Sequence, residues 1–389
     1  MPQPVPIHRA PSHHVPMPVP QFRPPHLGNS VNNLSPTQMA AFLDGLDQFT
    51  EVDSAATGLG PIFNNVSCAA CHSAGAVGGA SAIFVTRYGK TVNGIFDPLA
   101  SEGGSLLHSM AINPRLQEVI PSDANTVARR LTTPLFGAGL IEAIPDSSIM
   151  NNALRVKRDG VRGRASLVTD VASGLTRAGR FGWKAQHATL LSFAGDAYQN
   201  EVGVTNRLFP HENAPNGNVE LLAQFIDIND PFDDQPDPDT RRSDIDRLSD
   251  YMAMLAPPPP VPLTRTGMVG EAVFNRVGCA ECHQKVMITG PSSIQAVNMK
   301  PAVLWSDLLL HNMGSLNDGI AQGNTGANEM RTSPLWGLRF HKPYLHDGRA
   351  ANVDASIRGH DGEGTPSRNR YQTLTAADRA ALLEFLNSL

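Results

Sequence analysis

The chain has 389 residues, 41% hydrophobic and 17% charged, with a net charge of −5. That is a globular composition, long enough for two cores. No Lys/Arg-rich run points to nucleic acid or an anionic membrane, and no stretch approaches the roughly 18 consecutive apolar residues of a membrane span. Aromatics are sparse at 6%, while 34 glycines and 31 prolines mark a loop-rich chain.

Residues 1–34 open the chain as a Pro- and His-rich leader with no periodic apolar face, and they are expected to be disordered. They lack the apolar core of a signal peptide; His8, His13 and His14 are read as part of a floppy tail. A helix is predicted over 35–48, with Ser35 as its cap and Pro36 in its first position. The segment Cys68-Ala-Ala-Cys71-His72 follows. Residues 146–180 read as extra loop, and the acidic stretch Asp227 to Asp239 as a solvated loop without the EF-hand pattern. Pro257 to Pro260 and Pro262 form a stiff linker. The chain is therefore divided into a domain over 35–256, a linker over 257–262 and a domain over 263–389. The second domain holds Cys279-Ala-Glu-Cys282-His283 and ends in an amphipathic helix, 376–388, with Leu382, Leu383 and Leu386 on one face.

The two Cys-x-x-Cys-His segments use all four cysteines. This spacing is the c-type haem attachment signal: the two thiols add across the vinyl groups of one haem, and the adjoining His reaches the iron. Two halves of a four-cysteine zinc site are the main rival, but zinc does not explain a His after both halves. A thioredoxin-like redox pair needs a preceding strand, and none is read here. Two covalently bound c-type haems are the preferred reading, with Cys68, Cys71 and His72 holding one and Cys279, Cys282 and His283 the other.

The halves repeat one another beyond these motifs. Arg130-Leu-Thr-Thr-Pro134-Leu-Phe-Gly137 matches Arg331-Thr-Ser-Pro334-Leu-Trp-Gly337, and Trp183 to Leu190 lines up without gaps on His346 to Val353. Duplicated single-haem units explain this, so the fold class expected is mainly α, with two cytochrome c-like domains and long loops.

Pro334-Leu-Trp-Gly337, Tyr344-Leu-His-Asp-Gly-Arg-Ala350 and the closing Leu374-Thr-Ala-Ala-Asp378 helix resemble the C-terminal half of bacterial di-haem cytochrome c peroxidases. Gly58-Leu-Gly-Pro-Ile-Phe-Asn64, Gly137-Ala-Gly-Leu-Ile-Glu-Ala-Ile-Pro145 and Gly179-Arg-Phe-Gly-Trp-Lys-Ala185 resemble the branch called di-haem oxidoreductases, putative peroxidases. The resemblance covers residues 40–389. It implies one haem that relays electrons with both axial positions closed, and another that leaves its iron open to peroxide. For the second haem, His283 is the proximal ligand. The sixth-ligand position, counted through the motif, falls on His360, with Met313 as the alternative. Its equivalent in the first half is Ala197, which cannot ligate, so the haem on His72 is expected to be the reactive one. Glu201 resembles the family's distal Glu, a proton shuttle. Trp183 aligns with a Trp that sits between the haems. The family's distal Gln is replaced by Phe193, a departure from the peroxidase pattern. Arg87, Arg130 and Arg331 are candidate partners of haem propionates. No His lies between 73 and 107 to close the first haem, which leaves His108 and His187.

The implied function is an extracytoplasmic di-haem oxidoreductase of peroxidase type. Its electrons come from a small redox protein, and hydrogen peroxide is its oxidant. The resemblance also admits calcium between the haems and a homodimer. Haem attachment outside the cytoplasm implies a secretion signal that this sequence does not show. Two rivals stand beside this reading: a non-catalytic di-haem electron-transfer cytochrome, and a di-haem oxygenase or protein-modifying enzyme.

Overall fold

Pro36–Thr50 is a helix whose start is set by a reciprocal cap. Ser35 Oγ accepts from Gln38 N at 3.2 Å, and Gln38 Oε1 accepts from Ser35 N at 3.0 Å, so two otherwise orphaned donors are satisfied. Its buried side, Phe42, Gly45, Gln48 and Phe49, packs on the helix Asp244–Met254, which buries Ile245, Leu248, Tyr251 and Met252. Phe42 and Phe49 flank Tyr251 with ring centroids 5.2 and 4.8 Å away. The crossing is close because Gly45 has no side chain: a Cβ there would lie 2.2 Å from Arg247 O. The second half repeats the device. Arg265–Val277 crosses the C-terminal helix Ala376–Ser388 at Gly270, where a Cβ would lie 2.0 Å from Ala381 O. Phe274, Trp305 and Phe385 meet edge to face beneath that crossing. The computed structural model describes residues 26–225, 236–238 and 240–389.

The expectation of a mainly α chain is overturned. Helix makes up 36% of the described residues and strand 16%, with several small sheets, so the class is mixed α and β. The strand Phe84–Val92 pairs antiparallel with Ile95–Asp97, Leu106–Leu107 and Thr126–Leu131. Its residues, Phe-Val-Thr-Arg-Tyr-Gly-Lys-Thr-Val, are mostly β-branched or aromatic, and Asn93-Gly94 turns the first hairpin with both residues at positive φ. That is a strong hairpin signal, which the expectation of a helical chain around the haems passed over. The 146–180 segment is likewise structured, with a helix Asp146–Ala153 and a hairpin of Ser166–Thr169 on Thr176–Gly179.

Two hydrophobic cores result. One gathers the helices 36–50, 190–197 and 244–254 and also takes Met287, Leu304, Leu308 and Leu309 from the second half. The other is built from Val273, Phe274, Tyr371, Leu382, Phe385 and their neighbours. Residues 257–262 carry neither helix nor strand. Of the expected leader, residues 1–25 lie outside the described residues, whereas Val31 is buried and donates its N–H to Met254 O at 2.8 Å. Most of the acidic stretch, 226–235 and 239, also lies outside them. No helix among the described residues is long and apolar enough to cross a membrane.

The halves meet through reciprocal bonds. Leu131 N donates to His346 O at 2.6 Å, and Arg331 N donates to Trp183 O at 2.9 Å. Leu131 and Arg331 occupy equivalent places in the internal repeat, as do Trp183 and His346. The Trp183 and His346 rings touch edge to face at 6.1 Å.

Candidate functional site

Cys68–Cys71 is one helical turn capped by Ser67, whose Oγ accepts from Ala70 N at 3.1 Å. Residues three apart share a helix face, so both thiols line one cavity, of about 170 Å³, together with His72. Cys279–Glu281 is a tighter turn, and Cys279, Cys282 and His283 line a second cavity of about 220 Å³. In each motif the His N–H donates to the first Cys carbonyl at 2.9 Å. Because the cysteine pairs line different cavities, they do not make one four-cysteine zinc site.

His72 Nδ1 lies 3.2 Å from Gly79 O, and His283 Nδ1 lies 3.0 Å from Trp305 O. A carbonyl only accepts, so Nδ1 carries the hydrogen and Nε2 keeps its lone pair for a metal. Burial drives both imidazoles down to about 4, which keeps them in the neutral, ligating form. Burial also pushes the Cys68 and Cys279 thiols up to about 12, the opposite of what a redox-active thiolate needs.

His360 lines the second cavity with its Nδ1 bonded to Ser356 O at 2.8 Å, and its ring centroid lies 6.5 Å from that of His283. Two imidazoles on opposite sides of one metal, with bonds of about 2.0 Å, have centroids about 6 Å apart, so this pair fits a single iron. Met313 lines the same cavity. Arg331 is buried in its wall and bonds to the carbonyls of Gly182 and Thr332 at 2.8 and 3.2 Å, and burial lowers it to about 10. Arg87 Nε and Arg130 Nη2 at the first cavity are buried with no hydrogen-bond partner among the described residues. Buried guanidinium groups short of partners are costly and suit the carboxylates of a bound haem. Arg130 is otherwise paired with Asp318 at 2.6 Å, so the first cavity offers a propionate Arg87 and the open Nη2 of Arg130; with a thiol pair and an imidazole in each, both cavities fit a haem.

The first cavity presents a different set opposite its own motif in the repeat. Ala197, the equivalent of His360, lines it, as do Phe193 and Glu201. Glu201 accepts from Asn64 Nδ2 at 2.9 Å. Burial raises its carboxyl above the ordinary range, although Arg87 and Asn64 pull the other way. Trp183 lines both cavities and donates Nε1–H to Leu131 O at 2.8 Å. Neither His108 nor His187 lines the first cavity; they are engaged by Glu118 at 2.8 Å and Asp196 at 3.2 Å.

Two features were not anticipated. Gln186 lines the first cavity with its Oε1 buried and partnerless among the described residues; in the repeat it aligns with Arg349, so register gave no hint of it. Beside the second cavity, Lys157, Asp307, His311 and Glu363 form a chain of ion pairs at 2.6, 3.0 and 2.8 Å. Among the described residues the metal-ligating cluster found is Cys282, Asp307 and His311, a donor set unlike the oxygens calcium takes.

Solved structures that the chain resembles include three at 15% identity. They are a hydrazine synthase of Kuenenia stuttgartiensis (100% of each chain covered, TM-score 0.44), the diheme peroxidase BthA of Burkholderia thailandensis (94% of this chain, 92% of that one, 0.45) and a MauG-like protein associated with microbial copper homeostasis (95% and 94%, 0.41). No curated protein sequence matches it. The family model "Di-haem oxidoreductase, putative peroxidase" matches residues 109–389. With most of its length matched, and with two cavities furnished for haem, the chain belongs to the di-haem oxidoreductase, putative peroxidase family.

Proposed function

We propose that this di-haem oxidoreductase is a peroxidase that reduces hydrogen peroxide at the cavity of His72, with electrons received at the cavity of His283 from a small redox protein. The observation that carries this is the asymmetry of the cavities: Ala197 and Glu201 line one, where His360 lines the other. The haems supply stored electrons and an iron at which the O–O bond is reduced, and the overall change takes two electrons and two protons per peroxide to give two waters.

The chain's own residues hold and protonate. Cys68 and Cys71, and Cys279 and Cys282, would anchor the two haems; His72 would hold the iron of one, and His283 with His360 that of the other. Glu201 accepts the proton from one peroxide oxygen and returns it to the other, making water the leaving group. Asn64 orients that carboxylate, and Phe193 excludes water beside it. Trp183, which lines both cavities, is the bridge for electrons. Covalent attachment of this kind supports an extracytoplasmic location.

The test is Glu201→Gln. A positioned proton carrier contributes about 10²–10⁴-fold, so kcat/KM for peroxide is expected to fall by that factor in a protein that still carries both haems. Full turnover in Glu201→Gln, or in Cys68→Ala/Cys71→Ala, overturns the assignment.

A further inference from the structure

Behind Glu201 lies a buried histidine–carboxylate pair that the proposed reaction leaves unused. His108 is 2% exposed and Glu118 is 5% exposed. One Glu118 oxygen takes both His108 Nδ1, at 2.8 Å, and the His108 backbone N–H, at 2.7 Å. The other oxygen accepts from Asn216 N at 2.9 Å. A carboxylate held by that many donors fixes the ring in its Nδ1–H form. Nε2 is then the working nitrogen, and it is buried without a hydrogen-bond partner among the described residues. A buried polar atom of this kind is costly unless water reaches it.

Three observations tie the pair to the Glu201 carboxyl. His108 directly follows the strand Leu106–Leu107, which pairs with Thr86 and Arg87, and Arg87 lines the first cavity. Asn64 bridges the two regions: its amide donates to Glu201 at 2.9 Å, and its oxygen accepts from Ser109 N at 3.0 Å. His108 is also among the charges that act on Glu201. Of the other charged and titratable groups nearby, Tyr88 on the strand 84–92 faces Glu118 and Glu102, while Arg87 and Asp196 act on Glu201.

We propose that His108 and Glu118 form a proton relay behind Glu201, with His108 Nε2 exchanging protons with the Glu201 carboxyl through one bound water. The first water uses the peroxide's own protons, so the two protons drawn from outside belong to the second water. For one of them, doubly protonated His108 passes its Nε2 proton along the bridging water to the Glu201 carboxylate, which hands it on to the remaining oxygen and is ionised again for the next peroxide. His108 then takes a replacement from solvent, and Glu118 stabilises the doubly protonated ring. Only N–H and O–H bonds are made and broken. His108 acts through Glu201 and is a positioning residue. This deepens the peroxidase reading and rests on it.

Cyanide provides a readout without turnover, because hydrogen cyanide must lose its proton to bind ferric iron. The measurement is the pH dependence of cyanide association with the ferric, haem-loaded protein in four variants. Glu201→Gln is the reference and is expected to remove the pH step. His108→Asn keeps an amide donor for Glu118 but lacks Nε2. It is expected to move the step upward by roughly half a pH unit or more, since a cation near the carboxylate is lost, and to slow association about tenfold. His108→Gln, which restores an amide near the Nε2 position, should recover part of that loss. Glu118→Gln should move the step in the same direction as His108→Asn. An unmoved step in both His108→Asn and Glu118→Gln, with the Glu201→Gln effect present, overturns the relay alone. An unmoved step in Glu201→Gln overturns the Glu201 reading and the relay with it.

Discussion

His360 and Met313 line the same cavity, and one substitution separates them as iron ligands. A thioether favours the reduced state, so His360→Met is expected to raise the potential of the second haem. The shift should be on the order of 0.1 V, within the roughly 0.8 V that axial ligands span. Spectroelectrochemistry reads it, and an unchanged potential would hand the ligand position to Met313. Glu201 should leave its mark on the pH profile of turnover. Burial raises its folded-state value, and the carboxyl takes a proton from peroxide only when ionised. The kcat/KM profile should therefore rise with pH through a limb above the ordinary Glu value of about 4.3, and that limb should be absent in Glu201→Gln. A limb that survives the substitution belongs to another group.

Short elements hold these residues, and their contacts depend on what is missing as much as on what is present. Gly270 lets the helix 265–277, which leads into the second motif, lie against the backbone at Ala381. Gly270→Ala should force the helices apart and cost about 1–3 kcal/mol, seen as a lower denaturation midpoint. Gly267, one turn earlier, faces only the Leu263 and Thr264 side chains, and a methyl added there would have its nearest neighbour 3.4 Å away. Gly267→Ala should therefore be neutral or stabilising by up to about 1 kcal/mol. Equal destabilisation by both changes would mean that helix crossing is not what Gly270 serves.

Across the whole molecule, the halves are joined where the cavities approach each other. Trp183 and His346 touch, and their carbonyls accept the reciprocal bonds from Arg331 and Leu131. Next to Trp183, Lys184 is fully buried; Asp318 takes it at 3.0 Å and Arg130 at 2.6 Å, tying two cations of the first half to one carboxylate of the second. Trp183→Phe keeps the aromatic bulk and removes the more easily oxidised indole. It is expected to slow turnover with a reduced donor by about tenfold, equivalent to about 1.4 kcal/mol of barrier, with both haem spectra unaltered. Undiminished turnover would take Trp183 off the electron path.

Candidate haem-attachment residues were legible in the sequence without the fold. The Cys-x-x-Cys-His spacing acts within one helical turn, so Cys68, Cys71, His72, Cys279, Cys282 and His283 could be chosen without knowing the fold. The helices 36–50 and 376–388 were also legible, since a Ser or Thr cap and an apolar period are local signals. The repeat carried register far enough to bring Ala197 and His360 each into its own cavity. The class of the fold was not decided at that range. The Phe84–Val92 strand closes its sheet with partners as distant as Thr126–Leu131, and those pairings replaced the helical chain that the haem motifs suggested. Only the tertiary structure placed Gln186 in the first cavity, joined Lys157 to Glu363 through Asp307 and His311, and set His108 on Glu118 behind Glu201. Burial and the loss of water give those side chains their meaning, and both arise from contacts between residues far apart in the chain.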